Sequence, residues 1–282
     1  MFHFLLYWLY TLGITNKELK GEDNLSKIIN GFRSIIFNVL FFLSAIISFT
    51  VFTITTLASS DTALRVCVKY WIKSSLFMAR WVMGIKIEFR NLDKLPKEGA
   101  MIVAAKHQSN LDPLLIYTVR SDVTAFAKKE LFDLPVMGLL LKKMRIICVD
   151  RGKGTAHKSM DVVKDQVIGF KRPLLVYPEG TRVPVGQRRK LKSGAYFAQE
   201  SHDLPVYTVA TNSGCFWTRG FWHKSGTVVF EVDGPLGDNL SRSEFMAELH
   251  EKVVVRSDIL MRESGFDMPP LEDQPMRGKG RH

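Results

Sequence analysis

The sequence predicts an α/β protein, with a mixed, largely parallel sheet flanked by helices and preceded by N-terminal membrane-associated helices. Three observations carry this prediction. Strand-like and helix-like runs alternate from Ile85 to Arg262, the order that builds a largely parallel sheet. Four of the strands are followed at once by polar clusters, and in open α/β sheets ligands bind beyond the carboxyl ends of strands. Before the first strand stands an apolar stretch without a charge, Ser34 to Ala58, in which Asn38 is the only amide.

The N-terminal elements belong with a lipid phase. A helix needs roughly 20 apolar residues to cross a bilayer core, and Ser34 to Ala58 is long enough. It begins too late and runs too long for a cleaved signal peptide. In the next segment Arg65, Lys69, Lys73 and Arg80 fall on one stripe of a helix, opposite Leu64, Cys67, Trp71, Met78, Trp81 and Val82. That pattern suits a helix lying in the headgroup layer of an anionic membrane. Basic residues flank the apolar stretch on both sides, so charge alone sets no orientation. A re-entrant or monotopic helix pair, with both ends cytosolic and the rest of the chain on the cytoplasmic face of the membrane, would resolve this. Met1 to Leu12 is apolar but too short to span, and reads as a further interfacial anchor.

The remaining elements follow in order. Strands are expected at Ile85–Phe89, Ala100–Ala105, Val123–Ala127, Arg145–Val149, Leu174–Tyr177, Pro205–Thr211 and Thr227–Val232. Helices are expected at Asp112–Val119, with Asp112 as N-cap and Pro113 at the first helical position, then at Leu134–Lys143, Thr155–Phe170, Ser193–Ser201 and Ser243–Arg262. Residues 1–82 are thus expected to form membrane-anchoring helices and 83–265 one α/β domain that carries the polar clusters. The Pro-rich segment 266–282 is expected to be a disordered tail.

Composition narrows the classes. Hydrophobic residues make up 46% of the chain, too many for a disordered protein, and the net charge of +11 calls for an anionic partner. Cys67, Cys148 and Cys215 lie far apart, without metal-ligand spacing, and read as free thiols in a reducing compartment. Nucleic acid would use the charge but has no need of the apolar segment, so it is set aside. The stretch RGKGTAH resembles a dinucleotide fingerprint, but His157 stands where the third Gly or Ala belongs.

The polar clusters are KHQSNLD (Lys106–Asp112), KKEL (Lys128–Leu131), VDRGKG (Val149–Gly154) and YPEGTR (Tyr177–Arg182). In a parallel sheet all four gather on one edge. His107 can accept a hydroxyl proton if Asp112, five residues on, folds back to hold its other ring nitrogen. No GxSxG elbow supplies a nucleophile, so the reacting hydroxyl is expected from the substrate. Arg151 and Arg182 can each grip a phosphate through paired hydrogen bonds, and Lys128 adds a point charge. Gly180 admits close backbone approach and Thr181 adds a donor. Glu179 would orient Arg182 or another basic residue.

At these residues the sequence resembles the glycerolipid acyltransferase family. The family's blocks appear in order as His107-Gln-Ser-Asn-Leu-Asp112, Val149-Asp150-Arg151, Glu179-Gly180-Thr181-Arg182 and the proline-bearing strand Leu204 to Val209, with Lys128 matching as well. Where many members carry Asn before the histidine, this chain has Lys106. Thr208 stands where many have a second proline, and Cys148 where bulky apolar residues are usual. The resemblance implies that His107, oriented by Asp112, deprotonates the sn-2 hydroxyl of a lysophosphatidic acid. That oxygen would then attack the thioester of an acyl-CoA or acyl-carrier-protein. It implies that Lys128, Arg151, Glu179, Gly180, Thr181 and Arg182 hold or shape the acceptor phosphate site, without metal or bound cofactor. A different lysolipid acceptor, or a non-catalytic lipid-binding protein on the same fold, stays open at this point.

Overall fold

Met101–Ala105 (strand β2) is apolar at every position because both faces of the strand are covered, and all five residues are buried. Alternate side chains enter different cores. Met101, Val103 and Ala105 join one with Leu111, Leu115, Trp217 and Phe230. Ile102 and Ala104 join another with Leu174, Ala195, Phe245 and Val253. This two-residue period places β2 in the middle of a layered α/β domain. The computed structural model describes residues 24–58, 61–149 and 162–276.

The other strands are β1 (Ile85–Arg90), β3 (Thr124–Lys128), β4 (Ile147–Val149), β5 (Pro173–Val176), β6 (Val206–Thr211) and β7 (Gly226–Asp233). Together they form a seven-stranded sheet in the order β1-β7-β6-β2-β5-β3-β4. Every neighbouring pair is parallel except β6 with β7, so the expected mixed, largely parallel sheet is present. Its helices are α1 (Asn24–Ala58), α2 (Asp61–Trp81), α3 (Leu111–Val119), α4 (Pro135–Lys143), α5 (Gly194–His202), α6 (Arg242–His250) and α7 (Arg256–Glu263). Ser241 starts α6 with a capping box, its hydroxyl and the Glu244 carboxylate each accepting from the other's backbone N–H.

Three expectations need correction. Asn110, not Asp112, caps α3; Asp112 lies inside the first turn because its carboxylate is engaged by the preceding loop. The segment expected as a tail is packed through residue 276. Met268 and Gln274 are buried there. The Gln274 amide donates to Asp258 Oδ1 at 2.6 Å, and Arg262 donates to the carbonyls of Met268 and Pro269. Arg262 partners backbone carbonyls of the proline-rich segment, and Asp258 anchors its Gln274 side chain. The outward side of α2 is mixed rather than basic, since Val66, Tyr70, Phe77 and Trp81 are exposed beside Lys69, Lys73 and Arg80. Trp81, expected opposite the basic stripe, lies under the Arg80 guanidinium at 5.7 Å, whereas Leu64 and Ile72 turn inward to the core. The Met1–Leu12 anchor, the helix start from Thr155, His157 and residues 277–282 lie outside the described residues.

Helix α1 is inverted relative to a soluble helix. It is long and apolar enough to cross a membrane, by length and composition. Leu25, Ile28, Phe32, Val39, Leu43, Ile47 and Ile54 all face outward. Among its described side chains the buried ones are the polar Asn30, Ser34 and Asn38, spaced four apart on one face, together with Phe37. The three polar residues hydrogen-bond a loop of the α/β domain. Asn38 Nδ2 donates to Phe221 O at 2.8 Å, His223 N to Ser34 Oγ at 2.9 Å, and Ser225 N to Asn30 Oδ1 at 3.3 Å. Phe37 lies on the same face, edge-on to Trp217 and His223. A helix with protein on one side and an apolar phase on the other requires this arrangement, which points to membrane association.

Burial of His223 lowers its pKa to about 4, so the folded protein holds the ring neutral where the unfolded chain would bind a proton. Because the folded pKa is the lower one, stability falls as pH drops below about 6.5 and levels off near 4. The expected loss between pH 7 and pH 5 is about 2 kcal/mol. His223→Phe, which keeps an aromatic ring against Phe37 and Trp217, removes that acid sensitivity; thermal unfolding in detergent at the two pH values measures it.

Candidate active site

The chain leaves β2 at Lys106, whose N–H still reaches Val209 O of β6 at 2.9 Å. It then turns through Ser109 and Asn110 into α3. The Asp112 carboxylate closes this turn. Its Oδ2 accepts from Gln108 N at 2.7 Å, from Ser109 N at 2.9 Å and from His107 Nδ1 at 3.0 Å. Its Oδ1 accepts from Ser213 Oγ and lies 3.2 Å from Ser109 Oγ. A carboxylate held by this many donors is locked in place. Because Nδ1 must carry the proton that Asp112 accepts, Nε2 is left as the basic nitrogen of His107.

The ring of His107 is stacked on Tyr177, with centroids 3.9 Å apart and planes 14° from parallel. Burial, with the Asp112 charge adding to it, pushes the Tyr177 hydroxyl well above its usual range, so it stays neutral beneath the imidazole. Cys215, two residues beyond Ser213, is buried, and burial pushes its thiol up and away from the thiolate.

Strands β2, β5, β3 and β4 are adjacent and parallel, so their carboxyl ends share one edge of the sheet. This brings together the His107 loop, the Glu179–Arg182 turn and Lys128. Lys128 is half-buried at the end of β3, opposite Val149. Arg151 lies outside the described residues, two positions past that pair. Gly180 adopts φ +67°, a left-handed conformation that favours glycine; a Cβ there would meet Lys192 Nζ at 2.5 Å, the end of a side chain that can move aside. Arg182 donates to Asn110 Oδ1, which ties the turn to the base's loop, while Thr181 is half-buried beside it. Arg219 Nη1 in turn approaches Arg182 O at 3.5 Å.

The partner of Glu179 is Lys106, not Arg182. The Lys106 ammonium lies 2.6 Å from Glu179 Oε1, with 3% and 0% of the two side chains exposed. Sequence reasoning also missed Ser213, Lys192 and Asn110. Asn110 sits within the quoted loop and Lys192 within a basic run, but Ser213 lies a hundred residues from Asp112 in the chain and carries no signal of its own.

This α/β edge carries a histidine oriented by a buried carboxylate, and the chain belongs to the glycerolipid acyltransferase family. The acyltransferase family profile matches residues 86–212. The 1-acyl-sn-glycerol-3-phosphate acyltransferase of Borreliella burgdorferi is 30% identical over 189 residues, covering 66% of this chain and 72% of that protein. The enzyme of the same name from Pseudomonas aeruginosa is 29% identical over 249 residues, covering 87% of this chain and 95% of that one. The fold is shared with the crystal structure of the 1-acyl-sn-glycerophosphate (LPA) acyltransferase, PlsC, from Thermotoga maritima. The TM-score is 0.65 at 19% identity, over 82% of this chain and 97% of that chain.

Proposed function

We propose that the protein transfers an acyl chain from an acyl thioester, acyl-CoA or acyl-carrier-protein, to the sn-2 hydroxyl of 1-acyl-sn-glycerol-3-phosphate, giving phosphatidic acid. The observation that carries this reading is the His107–Asp112 pair. The Ser109 and Ser213 hydroxyls beside it both engage Asp112, so the hydroxyl that reacts at Nε2 is the substrate's. His107 Nε2 takes the sn-2 proton as the oxygen bonds to the thioester carbonyl. The tetrahedral intermediate then collapses, the C–S bond breaks, and the imidazolium returns the proton to the departing thiolate. The names of the relatives supply the acceptor.

In this reading Arg182 grips the acceptor phosphate and Lys128 adds positive charge along the same edge; the family resemblance gives Arg151 the same role. Glu179, Gly180 and Thr181 shape the turn. Neither family departure presents its side chain to the acceptor: Lys106 is buried on Glu179, and Thr208 is buried in β6, with its hydroxyl donating to Asp233 O at 3.2 Å. The outward side of α1, with Tyr70, Phe77 and Trp81 beside Lys69, Lys73 and Arg80 on α2, seats the enzyme on an anionic membrane surface at the cytoplasmic face, where its lipid acceptor resides. Arg182→Ala is expected to raise the KM for lysophosphatidic acid about 30-fold, the loss of a charge-assisted contact, with the donor KM nearly unchanged. Initial rates in detergent micelles, titrating each substrate in turn, test it; equal loss for both substrates would remove Arg182 from the acceptor site.

A further inference from the structure

Lys106 is the residue before the base, and its side chain is buried. It spans to the Glu179–Arg182 turn, where its ammonium meets Glu179 Oε1 at 2.6 Å. The same turn grips the peptide groups of His107. Glu179 Oε2 lies 3.5 Å from His107 N, and Val183 N donates to His107 O at 2.8 Å. Arg182, at the end of the turn, bonds Asn110 in the loop that carries His107 to Asp112. The base and the phosphate-gripping arginine are thus tied together on both sides of one buried ion pair. A buried carboxylate keeps its charge and its position only while a partner charge stays beside it.

We propose that Lys106 is a positioning residue for the acceptor. Through its ion pair with Glu179 it fixes the Glu179–Arg182 turn, and with it Arg182, at a set distance from His107. Lys106 does not touch substrate. Its effect is geometric: the phosphate is held at one end of the acceptor and the hydroxyl must arrive at Nε2 at the other. A shift of about 1 Å between holder and base is enough to cost about 100-fold in rate. The inference rests on the acyl-transfer reading above.

The test compares wild type, Lys106→Met and the double variant Lys106→Met with Glu179→Met. It uses the full chain in detergent micelles, with lysophosphatidic acid, acyl-CoA and acyl-carrier-protein as probes. Wild type that forms no phosphatidic acid with either donor defeats the functional reading itself, and the inference falls with it before any variant is compared. With wild type active, Lys106→Met is expected to lose about 100-fold in kcat/KM for lysophosphatidic acid, with the donor KM within about threefold of wild type. The single variant also strands a buried carboxylate and can fail to fold, so the double variant separates position from stability. Removing both charges is expected to return the melting temperature toward wild type while transfer stays about 100-fold down. Recovery of transfer together with stability would reduce the pair to charge compensation and overturn the proposal. So would acceptor kinetics within threefold of wild type in Lys106→Met, an equal rise in the donor KM, or a double variant that does not fold.

Discussion

His107→Phe is expected to lower the rate constant for acyl transfer by about 10³–10⁴-fold, at the upper end of what a positioned general base contributes. The phenyl ring keeps the stack on Tyr177, whose centroid lies 3.9 Å from the imidazole, so the fold is not what fails. The variant lacks Nε2, the group proposed to take the hydroxyl proton as the oxygen attacks. Arg182 and Lys128 remain, so the KM for lysophosphatidic acid should change only a few-fold. Separate measurement of kcat and acceptor KM, on protein with a wild-type melting temperature, checks this. Loss confined to KM would mean that His107 binds rather than reacts.

Asp112→Asn is expected to come next, with kcat reduced by about 10³-fold or more, the scale seen when a buried carboxylate behind a catalytic histidine is neutralised. The reason lies in the count of donors. Oδ2 accepts two backbone N–H groups and the imidazole, while Oδ1 accepts the Ser213 hydroxyl. An asparagine offers one acceptor oxygen and one NH₂. If the oxygen faces the backbone amides, the NH₂ confronts a hydroxyl that must turn around; if the amide flips, it confronts two N–H groups. Either way His107 loses its full negative partner. The imidazolium formed in the transition state is then less stable. A stability loss of about 1–3 kcal/mol should accompany the variant, from the unsatisfied buried donors. A rate loss without any change in melting temperature would place the role of Asp112 in charge alone.

The sheet and the site edge were legible for a physical reason. Strands buried on both faces read as short, wholly apolar runs, and where they end the chain must become polar at once. Those polar ends were therefore easy to place, and parallel pairing put them on one edge. What escaped the sequence was pairing across chain distance. Glu179 finds Lys106 73 residues away, and Asp112 finds Ser213 101 residues away; neither pair has a spacing rule. The stripe of Asn30, Ser34 and Asn38 escaped for a different reason. In an apolar helix, scattered polar residues read as interruptions, and only the docked loop Phe221–Ser225 reveals them as the inward face. The packed segment 266–276 was hidden because prolines signal the lack of a backbone ladder, while Arg262 and Asp258 satisfy that segment with side chains.

The measurement that tests the account most directly is formation of phosphatidic acid from lysophosphatidic acid in detergent micelles, with acyl-CoA and acyl-carrier-protein supplied separately, by wild type and by His107→Phe. Product is expected from wild type with at least one donor and almost none from the variant. Folded wild-type protein that makes no product with either donor, or a variant that makes it at the wild-type rate, would contradict it.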